Sequence, residues 1–238
     1  MNPWNKEEKL EHPQDEERIG AYWERRFVAE GLIWSDVPSQ TAQDASHWFQ
    51  QEGLRTLLVP GAGYGRNTRF FSSSYKVDAI ELSPSAAKLG EAFDPKTTFY
   101  VGSAFDPIIG GRDRYDAIYC YDLLHLFREA DRKRLLQSLI GRLRGGGILY
   151  LTVFSNEDPH CGKGDLLEPG TYLYKPDKFA HFYEQEELLR LVPGWNVLET
   201  RSWREPFPPE DGRQREYTIR SLAARKPSGE FQLPAAGQ

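Results

Sequence analysis

Three glycines at alternate positions, Gly61, Gly63 and Gly65, follow a short apolar run that ends at Val59 in "TLLVPGAGYGRNTRFF". A strand that feeds a glycine turn and then a helix aims backbone N–H groups at a ligand, because no side chain keeps the ligand away. Dinucleotide enzymes use G-x-G-x-x-G, where the third glycine packs helix on strand. Here the third glycine comes one residue early and Arg66 holds the reserved position. That spacing argues against a pyrophosphate cradle and suits the compact amino-acid end of a cofactor. The next apolar run, "KVDAIELSPS", ends in Glu81, about 20 residues past the first glycine, where a carboxylate can accept from both hydroxyls of a ribose.

Other reactive types are sparse. The two cysteines, Cys120 in an apolar run and Cys161 in a glycine-rich loop, offer neither a disulfide framework nor metal-ligand spacing. His160 and Cys161 are adjacent with no third orienting group, so they do not read as a nucleophile and its base. No His/Asp/Glu cluster has ligand spacing, and no metal is expected. The 30 basic and 35 acidic residues give a net charge of −5 without a basic run, which argues against a nucleic-acid partner. The charged start "MNPWNKEEKLEHPQDEERIG" lacks an apolar signal region, and no run approaches the roughly 18 apolar residues of a membrane span. A soluble, cytoplasmic protein is expected.

The elements that must position the turn follow from periodicity. "DEERIGAYWERRFVAEG" places Ile19, Tyr22, Trp23, Arg26 and Phe27 at helical spacing before Gly31, and "TAQDASHWFQQEG" reads as a second helix ending at Gly53. Residues 1–54 thus form a helical cap. From residue 55 strands alternate with helices: strands near 55–60, 76–81, 97–101, 115–120 and 147–154, helices near 66–73, 84–93 and 129–143. Such alternation predicts parallel strands with crossovers on both faces. Ser83, before Pro84, is a candidate N-cap. Residues 155–183 form an insertion, largely irregular over 155–180 and rich in Gly, Pro, Asp and Lys. "EQEELLRLV" is a short helix. "WNVLETRSW" and "REYTIRSLAARK", separated by "REPFPPEDGRQ", predict a closing antiparallel hairpin, and residues 227–238 a disordered tail.

"LLVPGAGYGRNT", "VDAIELS", "FYVGSAFD", "YDAIYCYDLLHLF" and "LRGGGILYLTVFS" follow one another in the order of the class I S-adenosylmethionine-dependent methyltransferases, which the chain resembles over about residues 19 to 226. "YWERRFVAEGLIWSDVPSQTA", Pro60 before Gly61 and "GRN" after the turn are similar to the tellurite-resistance and thiopurine (thiol) methyltransferase group. The resemblance implies a Rossmann-like α/β fold: a seven-stranded, mostly parallel sheet with an antiparallel C-terminal hairpin and helices on both faces. It implies S-adenosylmethionine as methyl donor and S-adenosylhomocysteine as product. "VPGAG" lacks the acid that the wider superfamily carries just before the turn, so another residue must meet the cofactor's amino group.

The resemblance also assigns residues. Gly61, Ala62, Gly63 and Gly65 face the methionine portion, with Asn67 in the cofactor set; Glu81 and Leu82 take the ribose. Ser103 and Ala104 line the adenine, Ser103 standing where many relatives have Asp. Trp34 resembles a lid aromatic folding over the cofactor, the competing reading being that it packs against Trp23 and Phe27. At the carboxyl end of the fourth parallel strand, Tyr121, Asp122 and Leu123 neighbour the reacting centre, and a tyrosine face there attracts a sulfonium. His125 is a base candidate unless it packs where strand becomes helix. Arg220 either points inward to steer an anionic acceptor or sits exposed on an edge. Tyr22, Glu168, Tyr172, His181 and Tyr183 are candidates to shape the acceptor side.

An activated methyl group needs alignment more than a nucleophile, and a thiol ionises readily enough to manage without a dedicated base. The expected activity is methylation of a small soft nucleophile (thiol, selenol or tellurium species). The alternatives are an oxygen- or nitrogen-directed small-molecule methyltransferase and a non-catalytic cofactor-binding protein. Monomer and homodimer both remain open.

Overall fold

The structure is a computed structural model that describes residues 13–112, 114–175, 178–207 and 215–228. Two helices come first. α1 (Pro13–Glu30) stops at Gly31, whose φ of 65° is the left-handed conformation a glycine adopts without steric cost. α2 (Gln40–Gln51) starts at Ser39, whose side chain accepts from the Ala42 N–H at 3.2 Å.

The alternating part then runs β1 (Thr56–Pro60), α3 (Thr68–Phe71), β2 (Lys76–Glu81), α4 (Pro84–Phe93), β3 (Thr98–Val101), β4 (Tyr115–Cys120), a 3-10 turn (Leu124–Leu126), α5 (Glu129–Arg142) and β5 (Leu143–Phe154). β6 (Asp165–Glu168), β7 (Thr171–Lys175), β8 (Lys178–His181), α6 (Gln185–Arg190), β9 (Asn196–Phe207) and β10 (Arg215–Arg225) complete it. Ser83 does cap α4: its side chain accepts from the Ala86 N–H at 3.0 Å.

Seven strands form one sheet in the order β3-β2-β1-β4-β5-β10-β9. β1 to β5 are parallel, and β10 runs antiparallel between β5 and β9. The chain winds outward from β1 to β3, then returns to place β4 on the other side of β1. The crevice at that reversal, beyond the carboxyl ends of β1, β2 and β4, is where open α/β sheets bind ligands. Adjacent residues of β1 point to opposite faces. Leu58 joins Ile118, Leu149 and the α5 residues Leu135 and Leu139 on one face, and Leu57 joins Phe49 of α2, Val77 and Tyr150 on the other. Both faces of the central strands are therefore dry, as a parallel sheet requires.

The insertion departs from the expected irregular loop. Its β6, β7 and β8 form a separate three-stranded antiparallel sheet. Each strand is only four or five residues long, too short to show a period in sequence, and Tyr172, Tyr174 and Ala180 gain burial against Phe154, Phe182 and Tyr217. β5 begins at Leu143, four residues ahead of the expected 147, and β9 continues through "REPF" to Phe207. Residues 208–214 of the expected hairpin break and the tail from 229 lie outside the described residues. Among the described residues no helix is long and apolar enough to cross a membrane.

Gly90 of α4 shows how tightly this frame is closed. A Cβ there would sit inside the van der Waals envelope of the Phe99 ring on β3. Alanine improves helix propensity by about 1 kcal/mol, but overpacking costs about 1–3 kcal/mol. Gly90→Ala is therefore expected to lower the thermal midpoint, and Phe99→Leu added to it to recover part of the loss, both measured by calorimetric unfolding.

Candidate active site

One open-mouthed cavity, with about 1310 Å³ of empty space including its mouth, lies over the reversal point. Its floor is the glycine turn. Gly61 and Gly63 have φ of 63° and 58°, and a Cβ on Gly61 would press on Leu123 at 3.0 Å. One wall is the end of β2, with Glu81 and Leu82, continued by Gly102, Ala104 and Phe105. The roof is α1 through Ile19, Gly20, Trp23 and Phe27, joined by Trp34. Gly20 is the point of closest approach, since a Cβ there would meet Leu82 Cδ2 at 2.8 Å. Trp23, Phe27, Trp34 and Tyr64 form an aromatic cluster with ring centroids 5.5–6.3 Å apart, and the Tyr64 hydroxyl donates to the Ser35 carbonyl at 2.7 Å.

The Glu81 carboxylate is buried and bound to backbone. Oε2 accepts from Gly63 N–H at 2.7 Å and Oε1 from Ser83 N–H at 2.8 Å. Burial raises its pKa, and those N–H groups, with that of Leu82, pull the other way. The next bond connects floor to roof: Glu24 of α1 accepts from the hydroxyls of Ser83 and Ser85, the latter at 2.6 Å.

The opposite end of the cavity carries a polar cluster. Asp122, just past β4, has φ of 48°, a left-handed backbone rare for a residue other than glycine. Its N–H donates to Thr152 Oγ1 at 2.9 Å, while that hydroxyl donates to Asp122 Oδ1 at 2.7 Å. The Tyr217 hydroxyl donates to Oδ2 at 3.0 Å and lies 3.1 Å from the Tyr121 hydroxyl. Arg66 donates to Tyr121 at 3.1 Å, and its guanidinium stands 5.4 Å from the Tyr121 ring and 5.9 Å from Trp34. Burial opposes the Arg66 charge, but Tyr121, Tyr217 and Glu205 outweigh it and hold the side chain cationic. Burial lifts the Asp122 carboxyl to about 6 against the pull of Thr152, Tyr217 and Arg66. Glu205 of β9, also buried, is pushed up to about 7 by burial and by Asp122.

The sequence between 58 and 147 matches the family model described as "Methyltransferase domain". Over those residues the chain is similar to a methyltransferase domain. A comparison with curated proteins finds no match. The fold is similar to the 1,6-didemethyltoxoflavin-N1-methyltransferase of Burkholderia thailandensis with bound 1,6-didemethyltoxoflavin and S-adenosylhomocysteine, at 20% identity and TM-score 0.64 over 90% of this chain and 89% of that one. TehB from Haemophilus influenzae aligns at 15% identity and TM-score 0.63, over 86% and 67%. The magnesium protoporphyrin IX methyltransferase of Synechocystis PCC 6803, with bound S-adenosylhomocysteine, aligns at 15% and 0.66, over 89% and 99%. The expected seven-stranded class I methyltransferase sheet is the sheet observed.

Of the residues singled out from the sequence, the cavity brings together Trp34, Gly61, Ala62, Gly63, Asn67, Glu81, Leu82, Ala104, Tyr121, Asp122, Leu123 and His125. Trp34 lines the cavity and packs on Trp23 and Phe27 at once. Asn67 is committed to the cap: its Oδ1 accepts from Ser39 N–H at 2.9 Å and from the Ser39 hydroxyl at 3.1 Å. His125 accepts from Phe154 N–H at 3.3 Å through Nδ1 and stacks on the Phe154 ring at 3.9 Å. Burial, Lys178 and His181 lower its pKa well below the usual histidine value, so it is neutral.

The other candidates lie outside the cavity wall, each for a local reason. Gly65 packs α3 into place, since a Cβ there would meet Thr68 Oγ1 at 2.8 Å and Phe99 at 3.0 Å. The Ser103 hydroxyl accepts from Phe105 N–H at 3.0 Å. Arg220 does point inward, but onto Ser155 at 3.1 Å, Gln185 at 3.3 Å and Glu157 at 3.2 Å. Glu168 accepts from the Glu129 N–H at 3.0 Å and caps α5. His181 binds Thr171 at 2.9 Å and Glu187 at 2.8 Å. Tyr172 packs on Phe182, Tyr183 is buried in the main core, and Tyr22 lines a smaller hollow beside α1 with Arg18 and Phe179. Arg66, Lys178 and Tyr217 also line the wall. Of these three only Arg66 had a signal in the sequence, as the residue in the reserved glycine position.

Glu205 provides a stability test. Its folded pKa of about 7 exceeds the ordinary 4.5, so the fold holds that proton more tightly than the unfolded chain does. Stability therefore falls as pH rises from 4.5 to 7, by about 3 kcal/mol in all. Glu205→Gln removes that dependence. The difference in melting temperature, variant minus wild type, is expected to become more positive between pH 5 and pH 8 by differential scanning fluorimetry.

Proposed function

We propose that this S-adenosylmethionine-dependent methyltransferase acts on a small soft nucleophile, a thiol, selenol or tellurium species, held at the Asp122 end of the cavity. One observation carries the reading: a single wall joins the glycine turn and Glu81 to an aromatic end that carries two cations, Arg66 and Lys178, beside a neutral His125. In this reading the backbone of Gly61, Ala62 and Gly63 meets the methionine portion of the donor, Glu81 the ribose, and Leu82 with Ala104 and Phe105 the adenine. The donor supplies an already activated sulfonium methyl.

The chain's own residues align and dry the reaction. Trp23, Phe27 and Trp34 cover the cavity, and a roof that excludes water strengthens each charge interaction beneath it. Holding acceptor and methyl in line lowers the barrier by several kcal/mol. A thiol of pKa roughly 8.5 yields its reactive thiolate more readily near a cation, the part given to Arg66 and Lys178.

A nitrogen-directed reaction is the second reading. The aligned Burkholderia enzyme is an N1-methyltransferase, and the ring faces of Phe154 and Tyr217 in the wall accept a planar heterocycle as readily as a thiol.

Calorimetry is expected to give binding of S-adenosylhomocysteine and none of NAD. Glu81→Gln is expected to weaken that binding about 10- to 100-fold, the worth of hydrogen bonds to one charged group. Incubation with the donor and a panel of thiols, phenols and amines, read as the mass gain of one CH₂, tests the acceptor. Turnover confined to amines or phenols overturns the soft-acceptor reading.

A further inference from the structure

We propose that Asp122 is the proton acceptor of the methyl-transfer step, held in place by Thr152 and kept in a proton-sharing chain with Tyr217 and Tyr121. The inference rests on the methyltransferase reading of the same cavity.

Three independent features single out this carboxylate. It lines the cavity beside Tyr121, Leu123 and Tyr217. Its backbone adopts φ of 48°, and strained conformations of this kind persist where the surrounding structure enforces them, often at functional sites. Here Thr152 enforces it by a paired bond, accepting from the Asp122 N–H and donating to Oδ1. The Tyr217 hydroxyl takes Oδ2 at 3.0 Å, so each oxygen retains a lone pair for an incoming proton.

The neighbours set its basicity. Arg66 from the turn, Tyr121 and Cys120 from β4, Tyr217 from β10 and Glu205 from β9 are the titratable groups around it. The tyrosines are pushed well above their usual value, first by burial and then by Asp122, and burial lifts the Cys120 thiol to about 12. These groups therefore stay protonated. A carboxyl lifted to about 6 is ionised at neutral pH, yet basic enough to receive a proton, which is where an efficient general base lies. His125, the other candidate, has its Nδ1 engaged by the Phe154 N–H.

The step balances simply. As the acceptor's lone pair forms the bond to the methyl carbon, the carbon–sulfur bond breaks and its electron pair stays on sulfur. The acceptor's proton passes to Asp122 and later to water. Arg66, two tyrosines away through Tyr121 and Tyr217, lies close enough to offset the charge changes.

The test compares wild type, Asp122→Asn and Tyr217→Phe on two probes: 2-mercaptoethanol, which is protonated at neutral pH, and 4-nitrothiophenol, which is already a thiolate. With 2-mercaptoethanol, Asp122→Asn should lower kcat about 100-fold, leave KM within about threefold and remove the acid limb of the kcat–pH profile. With 4-nitrothiophenol, kcat should change less than about threefold. Equal losses on both probes, or weakened S-adenosylhomocysteine binding in parallel, would show a merely structural role and overturn the proposal. A second readout needs no turnover: carboxyl ¹³C resonances of aspartate-labelled protein loaded with S-adenosylhomocysteine, the Asp122 signal assigned by its absence in Asp122→Asn. A midpoint near 6 that moves on adding 2-mercaptoethanol and rises in Tyr217→Phe supports the proposal. An ordinary midpoint near 4, or one indifferent to thiol, overturns it. If wild type turns over neither probe, the soft-acceptor reading fails, and the titration is then read without thiol: a midpoint near 6 that rises in Tyr217→Phe keeps Asp122 as the base, and one near 4 overturns it.

Discussion

The buried Glu81 carboxylate bound to backbone N–H groups on two sides is the interaction on which the site depends. Gly63 donates from the turn after β1 and Ser83 from the start of α4, so a single charge at the end of β2 fixes both. A buried carboxylate without such partners is costly, and the same cost ties the turn to the strand end. Ser83 extends the link by donating to Glu24 of α1. The floor and the roof of the cavity are therefore mechanically one unit.

The roof can come down only because of a second constraint, the absence of a side chain at Gly20. α1 there lies against Leu82, where even a methyl group would intrude. A second attachment comes from α2: Ser39 binds Asn67 and the Tyr119 hydroxyl, and Thr41 binds the same hydroxyl at 2.8 Å. The cap is joined to the sheet by buried polar bonds, which are directional, while the aromatic cluster of Trp23, Phe27, Trp34 and Tyr64 supplies dry area that is not. Direction from one and desolvation from the other leave a cavity with an apolar lid and polar ends.

The interior beyond the glycine turn works against stability. Asp122 and Glu205 are both lifted by burial, and Asp122 carries a strained backbone as well. A chain selected for stability alone would replace such a cluster by apolar residues, often at no cost. Its presence in the wall of the cavity fits the general exchange of stability for a pre-organised site.

By itself the sequence determined the local parts. Short apolar runs alternating with helical segments gave the parallel strands, and period-two runs the closing hairpin. Ser83 with Pro84 gave the start of α4, and the glycine spacing with Glu81 located one end of the cavity. These signals are legible because the physics behind them spans a few residues: strand alternation, capping, and turn conformations open to glycine. Tertiary structure alone decided which polar side chains face the ligand. Arg220, Glu168 and His181 each have the chemistry of a site residue, but partners distant in sequence or in another element take them up: Ser155 and Glu157, the start of α5, and Glu187. Asp122 gained its geometry from Thr152 and Tyr217, 30 and 95 residues further along the chain. The three short strands of the insertion became visible only through burial against Phe154, Phe182 and Tyr217. A polar group's role depends on what satisfies it, and in a wound α/β sheet that partner is set by crossovers, over distances that local sequence does not encode.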